Sequence, residues 1–357
     1  MTPVRSICTG ALAVALFLVL FASVASGWTV VVDPEGGGDF DNIPEASWYA
    51  GVDDTVLVMP GTYAIEPGYP LGWPINLHPN SPAFVSAGGA DVTALEGDGT
   101  CCAFRVPSGE FQARTTVVGF TIRNTPKPID KEYESGGLLH FTDNIIEDNG
   151  YGLDATWGGH GLIARNIIRN NDGDGINMYH FFGVIEENEV CYNVSGIRGH
   201  CCEDPTIQHN HVHHNTYGGI GGGFYCYAYY NLVEYNGTGL SSGSGCRFEH
   251  NIVRGNAVGV ALSDYPLGEM HFNDIYDNTE FAVRLYGYGE SDGRGFDATE
   301  NWWGTTDPDE IADMIWDCHD DPTIPVCVVY DPWCSAPGCE PVPVEAASWG
   351  AIKAMYR

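Results

Sequence analysis

The sequence predicts an all-β protein, a single-stranded right-handed parallel β-helix with a short N-terminal capping helix and a C-terminal cap. Three observations predict it. An Asn-x-(Ile/Val)-x-x-Asn hexapeptide recurs seven times, at starts separated by 22, 22, 22, 21, 20 and 22 residues. Six of the seven copies continue with glycine and an aliphatic residue. An apolar residue stands three positions before each copy: Phe141, Ile163, Ile185, Ile207, Ala228, Phe248 and Met270. Such a repeat indicates stacked coils.

Each part of the repeat has a physical role. The alternation around the Ile/Val position is typical of short strands. Asparagine and glycine both tolerate the left-handed backbone conformation, so we expect them to make the turns. Stacked coils lie about 4.8 Å apart, and the asparagine side chains are then expected to form an amide ladder along the axis. The copies begin at Asn144, Asn166, Asn188, Asn210, Asn231, Asn251 and Asn273.

The first 27 residues are predicted to be a signal peptide. Arg5 precedes an apolar run over Ala11–Phe21, and Ala25-Ser26-Gly27 is a small-residue cleavage site. The β-helix with its caps is assigned to residues 28–333, and a Cys- and Pro-containing tail with an amphipathic segment to residues 334–357. We therefore expect a secreted, extracellular or cell-surface protein, with the periplasm as an alternative.

The charge limits the classes of partner. The chain has 15 basic and 47 acidic residues, and the signal peptide carries one of the basic residues. Such an acidic protein is repelled by nucleic acid and by anionic membrane surfaces. No stretch of the mature chain is apolar enough to insert into a membrane. A neutral polysaccharide, or one bridged by Ca²⁺, is the expected partner, and the oligomeric state stays open.

Eleven cysteines follow the signal peptide, which indicates disulfides in an exported protein. Cys226 and Cys246 share one register position in adjacent coils and are predicted to be bonded. Two further bonds are predicted, Cys318 with Cys327 and Cys334 with Cys339. The pairing of the remaining cysteines stays open, with Cys191 a candidate partner for one of the last two: Cys101, Cys102, Cys191, Cys201 and Cys202.

A histidine-rich strand is a candidate metal site. His209, His211 and His213 alternate, so all three are expected to point outward, with Glu189 below and Glu234 above them. Imidazole and carboxylate ligands suit zinc or copper. A glycan-contacting face and a solvated surface without a role are the alternatives. Asp172 and Asp174 alternate with glycine and are candidate calcium ligands, although turns of this kind recur without metal.

A second candidate site follows the Gly-aliphatic step, where outward side chains of neighbouring coils stack into columns. In a lyase, His200 or Tyr179 would take the proton next to a uronate carboxyl while Arg198 offsets the developing charge. In a hydrolase, Asp154 would need Asp172 or Asp174 as a second carboxylate. Binding without chemistry and an ordinary polar surface are the alternatives. Candidate substrate-binding residues are His160, Asn177, His180 and Tyr230.

The repeats resemble the NosD-type β-helix repeat of the pectin-lyase-like superfamily. Gly36–Tyr63 is similar to the entry segment of that superfamily, and Ala298–Trp333, with its Asn-Trp-Trp-Gly-Thr motif, resembles its closing segment. The signature motifs of pectin methylesterases, pectate lyases and polygalacturonases are absent, so none of these activities is transferred. The resemblance leaves three functions open: a lyase or hydrolase that binds and cleaves polysaccharide, a non-catalytic surface or adhesive protein, and a NosD-like metal-handling exported protein.

Overall fold

The computed structural model describes residues 27–68, 73–107, 113–132, 137–200, 205–263, 268–287 and 295–338. Residues 1–26 of the predicted signal peptide and the part of the predicted tail from residue 339 onward lie outside these ranges, as do Cys201 and Cys202. The described chain is a right-handed parallel β-helix, as predicted. Each complete coil contributes one strand to each of three faces, and the faces follow one another along the chain as face 1, face 2 and face 3.

Face 1 carries the first strand of each coil, and neighbouring strands pair in parallel. Its strands are β1 (Thr29–Val32), β2 (Thr55–Val58), β5 (Ala83–Ser86), β8 (Ala113–Val118), β11 (Gly137–Thr142), the second half of β13 (Leu153–Ala164), β16 (Val184–Glu186), β19 (Thr206–Gln208), β22 (Tyr227–Tyr229), β25 (Cys246–Glu249), β28 (Gly268–His271), β31 (Phe296–Asp297) and β33 (Val328–Val329).

Face 2 is the most regular face, because most of its strands are three residues long. Its strands are β3 (Gly61–Ala64), β6 (Thr93–Glu96), β9 (Thr121–Arg123), β12 (Ile145–Glu147), β14 (Ile167–Arg169), β17 (Glu189–Cys191), β20 (His211–His213), β23 (Leu232–Glu234), β26 (Ile252–Arg254) and β29 (Asp274–Tyr276). The central residue of each strand from β9 onward points into the core and is buried.

Face 3 has longer strands, and its N-terminal part is a separate small sheet. That small sheet contains β4 (Ile75–Asn76), β7 (Phe104–Val106) and β10 (Ile129–Lys131). The main sheet contains the first half of β13, β15 (Ile176–Phe181), β18 (Ser195–Gly199), β21 (Gly218–Phe224), β24 (Thr238–Ser244), β27 (Val258–Ser263), β30 (Phe281–Tyr286) and β32 (Ile315–Trp316).

Two asparagine ladders run along the corners on either side of face 2. In the first, each side-chain amide donates to the carbonyl oxygen of the next asparagine at 2.9–3.0 Å, from Asn144 to Asn301. The second runs from Asn149 to Asn278. Backbone groups inside the corner are satisfied by the same amides. The predicted ladder is therefore confirmed, and Asn301 adds a rung that the repeat spacing did not reveal.

The ladder asparagines do not make the left-handed turns, and this part of the prediction is wrong. The residue before each one has the positive φ, at 55–60° along the first corner: Asp143, Arg165, Glu187, His209, Tyr230, His250, Phe272 and Glu300. The left-handed residue reverses the chain so that the next side chain points inward and reaches the adjacent coil. This conformation costs about 1–2 kcal/mol for a residue with a Cβ atom, and the ladder hydrogen bonds offset it.

The glycines after the second asparagine are needed for space rather than for φ. Gly175, Gly196, Gly219 and Gly239 are absent from the positive-φ residues. A Cβ atom on any of them would lie 2.4–2.8 Å from a valine methyl group of face 2 and from the carbonyl oxygen of the next glycine. The predicted left-handed role of these glycines is therefore wrong. They let face 3 approach the core closely, while the aliphatic residue that follows fills the core.

Both ends of the solenoid carry the predicted short helices. Helix α1 (Ile43–Tyr49) begins at Asn42, whose side chain accepts a hydrogen bond from the Glu45 amide at 2.9 Å, and it buries Ile43 against the core. Helix α2 (Pro308–Asp313) begins at Asp307 near the other end. Among the described ranges, we find no helix with the length and apolar character needed to span a membrane.

Candidate functional site

The outward side of face 3 carries a trench with a floor of small residues. On β21, β24 and β27, Gly221, Ser241 and Ala261 are register partners. Two positions further along the same strands lie Gly223, Gly243 and Ser263. The inward residues that precede the first three, Ile220, Leu240 and Val260, are fully buried aliphatics, as in every other coil. Three consecutive coils therefore place almost no side-chain volume on the outer surface here.

Large residues form the two walls of the trench. Arg198 pairs with the first coil of the floor and His200 follows it, while Arg284 and Tyr286 pair with the last coil. The walls are four strand spacings apart, or about 19 Å between their backbones. Two depressions of about 370 Å³ and about 390 Å³ lie between them. The exposed ring of Tyr217 lines the second depression beside Arg198.

Arg284 is packed among aromatic rings at the C-terminal wall. Its guanidinium carbon lies 4.7 Å from the ring centre of Tyr286, 5.4 Å from that of Phe281 and 5.9 Å from that of Trp316. Its Nε atom is buried and has no hydrogen-bond partner within the described part of the chain. Cation–π contacts with these rings stabilise the charge, and no carboxylate of the described ranges is paired with it.

At the N-terminal wall, the column Asp154, Asn177, Arg198 is formed as predicted. Arg198 Nη1 lies 3.4 Å from Asp174 Oδ2, and the Arg198 side chain is 53% exposed. Asp154 and Asp174 both line a further cleft of about 430 Å³ next to Lys127. The trench is therefore continued by a third depression, in which Lys127 lies beside two carboxylates.

The four predicted catalytic residues lie on neighbouring strands, but Asp154 is already engaged. Its carboxylate accepts hydrogen bonds from Lys127 Nζ at 3.2 Å and from the amide and hydroxyl of Thr156. His200 Nε2 lies 2.8 Å from Asn177 Oδ1, and Tyr179 packs edge-on against His180. His200 and Arg198 share the trench wall, whereas Asp154 belongs to the adjoining cleft. A catalytic role for these residues stays a prediction.

The four predicted substrate-binding residues do not form one surface. Asn177 and His180 lie near the N-terminal wall, whereas His160 lies at the start of the face 1 half of β13, with Nδ1 3.3 Å from the carbonyl oxygen of Phe182. Tyr230 lies at the corner between faces 1 and 2, because its φ of 56° turns the chain there. Its ring stacks between His209 and His250, with centroids 5.2 Å and 4.7 Å away.

On face 2, the predicted histidine cluster is formed by two of the three histidines. His211 Nε2 lies 3.1 Å from Glu234 Oε1, and His213 Nε2 lies 3.4 Å from Glu189 Oε1. Burial opposes ionisation of Glu234, but hydrogen bonds from His211 and from Arg254 outweigh it and lower its pKa. His209 does not join them, because it holds a left-handed corner position and stacks on Tyr230.

Of the two proposed calcium ligands, Asp174 already has a cation beside it that the chain itself supplies. Asp174 is nearly buried, and Arg198 is the charged group beside its carboxylate. Asp172 is exposed in the preceding turn, where its amide donates to the carbonyl oxygen of Asn149. Calcium binding at this turn stays a prediction.

The cysteines follow the predicted register. The Cys318–Cys327 disulfide is present, with Cα atoms 4.9 Å apart. Cys334 is also disulfide-bonded, and its predicted partner Cys339 lies outside the described residues. Cys226 and Cys246 are both buried and adjacent in register, and the structure has them as thiols, so their bond stays a prediction. Cys201 and Cys202, which are the proposed partners of Cys191, lie outside the described residues.

Sequence reasoning did not find the trench, Arg284 or Tyr286. The signal was present in the runs Gly221-Gly222-Gly223 and Ser241-Ser242-Gly243, which interrupt columns of large outward residues. Such a signal is visible only when the coils are aligned with their unequal lengths of 20–22 residues. The trench is marked in the sequence by small residues, whereas the predicted site residues are chemically reactive ones.

Comparisons with known proteins give the following matches. Residues 133–233 match the family model "Right handed beta helix region". The A-module of the mannuronan C-5 epimerase AlgE6 from Azotobacter vinelandii is similar in structure, with 16% identity, a TM-score of 0.47, and 81% of this chain and 95% of that one covered. Pectate lyase Pel9A is similar with 12% identity, a TM-score of 0.42, and coverage of 88% and 80%. No curated protein matches the chain. The chain thus contains a right-handed β-helix region over residues 133–233, within a solenoid of the same fold.

Proposed function

We propose that this chain is an exported protein that binds an extended polysaccharide in the trench of face 3. The observation that carries the proposal is the contrast between the floor and the walls. Small residues on three consecutive coils leave room for a chain of sugar rings. The walls add aromatic rings for stacking and two arginines for hydrogen bonds to hydroxyl or carboxyl groups.

The charge of the protein narrows the class of polysaccharide. The formal net charge of −32 repels a dense polyanion. Arg198 and Arg284 nevertheless place one guanidinium on each wall of the trench. The proposed ligand is therefore a neutral polysaccharide, or one whose carboxylates are spaced widely enough to meet the two arginines. Export rests on the sequence of the first 27 residues.

A test of binding uses the mature protein against a panel of soluble polysaccharides, with calorimetry to measure Kd. Ser241→Trp fills the floor between the walls and is expected to weaken binding at least ~10-fold, or about 1.4 kcal/mol. Thr62→Trp adds the same exposed ring on face 2, far along the solenoid, and is expected to leave Kd unchanged. The proposal fails if no polysaccharide binds, or if both tryptophan variants bind as the unmodified protein does.

One observation favours a second candidate, β-elimination of a uronate polysaccharide. Arg198 lies on β18 and His200 directly follows the end of that strand, so both side chains share one wall. When His200 Nε2–H donates to Asn177 Oδ1, Nδ1 keeps its lone pair and is the basic nitrogen. It would take the proton next to the carboxyl while Arg198 holds the carboxylate, and the bond to the leaving sugar oxygen breaks. New ultraviolet absorbance from unsaturated uronates, lost in His200→Ala, would support this candidate; its absence across the panel leaves binding alone.

A further inference from the structure

Face 2 brings three different metal-ligating groups together, away from the trench. The Glu189 carboxylate, the Cys191 thiol and the His213 imidazole each offer one ligand atom, and these atoms all lie within 4.8 Å of one another. Glu189 Oε1 is 3.4 Å from His213 Nε2 and 4.0 Å from Cys191 Sγ. Such separations leave room for one ion between the three atoms after small side-chain shifts.

The β-helix itself produces this convergence. Glu189 and Cys191 are two residues apart on β17, so both point outward from the same strand. Cys191 and His213 are register partners on β17 and β20. The three side chains therefore occupy adjacent outward positions on two neighbouring strands. Their backbones are fixed by the asparagine ladders that flank both strands.

The surroundings hold the ligands while leaving one side open. Cys191 and His213 are buried, whereas the Glu189 side chain is 47% exposed. The second ring nitrogen of His213 lies 2.8 Å from Nδ1 of His214, whose ring stacks on Tyr192. A partner on the second nitrogen is typical of metal-ligating histidines because it fixes the ring orientation. The open side at Glu189 gives solvent or a small ligand access to an ion.

The neighbouring charged groups are engaged with one another. Arg169 binds Glu147 at 2.8 Å, and Arg254 binds Glu234 at 2.7 Å. Arg169 is also the register partner of Cys191 on β14, so it lies next to Cys191 in the same outward column. A bound cation would add positive charge beside the Cys191 sulfur and stabilise its thiolate.

The geometry points to a binding site for one divalent transition-metal ion of the zinc class, held by Glu189, Cys191 and His213. One thiolate, one imidazole and one carboxylate form a ligand set of intermediate softness, and such a set binds zinc in preference to calcium or magnesium. Three protein ligands leave the fourth tetrahedral position for solvent. The site lies on a different face from the trench, and it stands whether or not a polysaccharide binds there.

Cobalt is the probe, because a thiolate ligand gives Co²⁺ a charge-transfer band in the near ultraviolet. The untagged mature protein, stripped with a chelator, is titrated with Co²⁺ and then with Zn²⁺. We expect one equivalent of Co²⁺ to bind with a thiolate band, and Zn²⁺ to displace it. Cys191→Ser is expected to abolish the band, and Glu189→Gln and His213→Gln to weaken Co²⁺ binding at least ~10-fold.

Cys246→Ser provides the matched control, because it changes another buried cysteine, on face 1, and leaves Glu189, Cys191 and His213 in place. This variant is expected to keep both the band and the stoichiometry. Circular dichroism of each variant separates loss of binding from loss of fold. The proposal is overturned if no thiolate band forms, or if the band survives in Cys191→Ser. It is also overturned if Cys191 of the unmodified protein is alkylated only after a reductant is added, because Cys191 is then held in a disulfide.

Discussion

Strands β20 and β21 belong to one coil, yet their outward positions are filled in opposite ways. On face 2, β20 carries His211 and His213, which are paired with carboxylates and largely covered. On face 3, β21 carries Gly221 and Gly223 and leaves an open trench. The inward residues of the two strands, Val212 and Ile220, are equally buried. The comparison shows that the core and the corners specify the coil, while each outward column is free to acquire its own chemistry.

The largest expected effect comes from the corner that leads from face 1 into face 2. Asn231→Ala removes the acceptor of the Asn210 backbone and side-chain amides and the donor to the Ile207 carbonyl group. We expect the free energy of unfolding to fall by about 4 kcal/mol, because several buried polar groups lose their partners. Chemical denaturation followed by circular dichroism measures it. Thr216→Ala changes an exposed residue of the adjacent coil, and an equal loss there would contradict the ladder argument.

The next effect separates space from backbone conformation on face 3. A Cβ atom on Gly219 would lie 2.6 Å from a methyl group of Val233 and 2.7 Å from the Gly239 carbonyl oxygen, whereas a Cβ atom on Gly218 meets nothing within 4 Å. Gly219→Ala is therefore expected to destabilise the protein by about 3 kcal/mol. Gly218→Ala is expected to be neutral or slightly stabilising. Thermal unfolding of both variants measures the two changes in stability. A similar loss of stability in both would show that these positions require backbone freedom and not space.

A smaller effect tests whether outward groups of face 2 stabilise the fold. Glu234→Gln is expected to lower stability by about 2 kcal/mol at neutral pH, because Arg254 and His211 lose a buried carboxylate. Ser241→Ala, on face 3, is expected to have no measurable effect. The pKa of Glu234 is lowered in the folded state, so its contribution is present above the ordinary value of 4.5 and is lost as pH falls through the folded value. A difference from the unmodified protein that grows on acidification would contradict this assignment.

The smallest expected effect is a mass difference of two hydrogen atoms, which separates a disulfide between Cys226 and Cys246 from two thiols. Cys226 lies beneath the end of the trench floor, where a Cβ atom on Gly222 would lie 2.6 Å from the Cβ atom of Cys226. If Cys226 and Cys246 form the predicted disulfide, intact mass after alkylation without reduction shows neither residue labelled. Labelling of both in protein unfolded without reductant would show instead that the trench rests on two stacked thiols.

The sequence predicted the repeated core and the asparagine ladder of the molecule, but it did not predict the trench. The inward column from Phe141 to Met270 and the asparagine ladder follow from side-chain size and hydrogen bonding, which repeat at a fixed spacing. Asn301 was not predicted as a rung of the ladder, because 28 residues separate it from Asn273. Tyr230 was misplaced because its left-handed φ removes it from the alternation of the strand. The trench depends on residues four coils apart, whose register is set by loops of unequal length.

The asparagine ladders also have a direction. Each ladder side-chain carbonyl group accepts from the asparagine of the preceding coil, so these carbonyl groups all point toward the N-terminal end and their dipoles add. Two parallel rows therefore polarise the protein lengthwise, with partial positive charge at the last rung. The segment that closes this end is rich in acids, including Asp307, Asp309 and Glu310 in the first turn of α2. A solenoid with this polarity favours an acidic lid at its C-terminal end, and reversing the charge of that lid would oppose the field of the whole column.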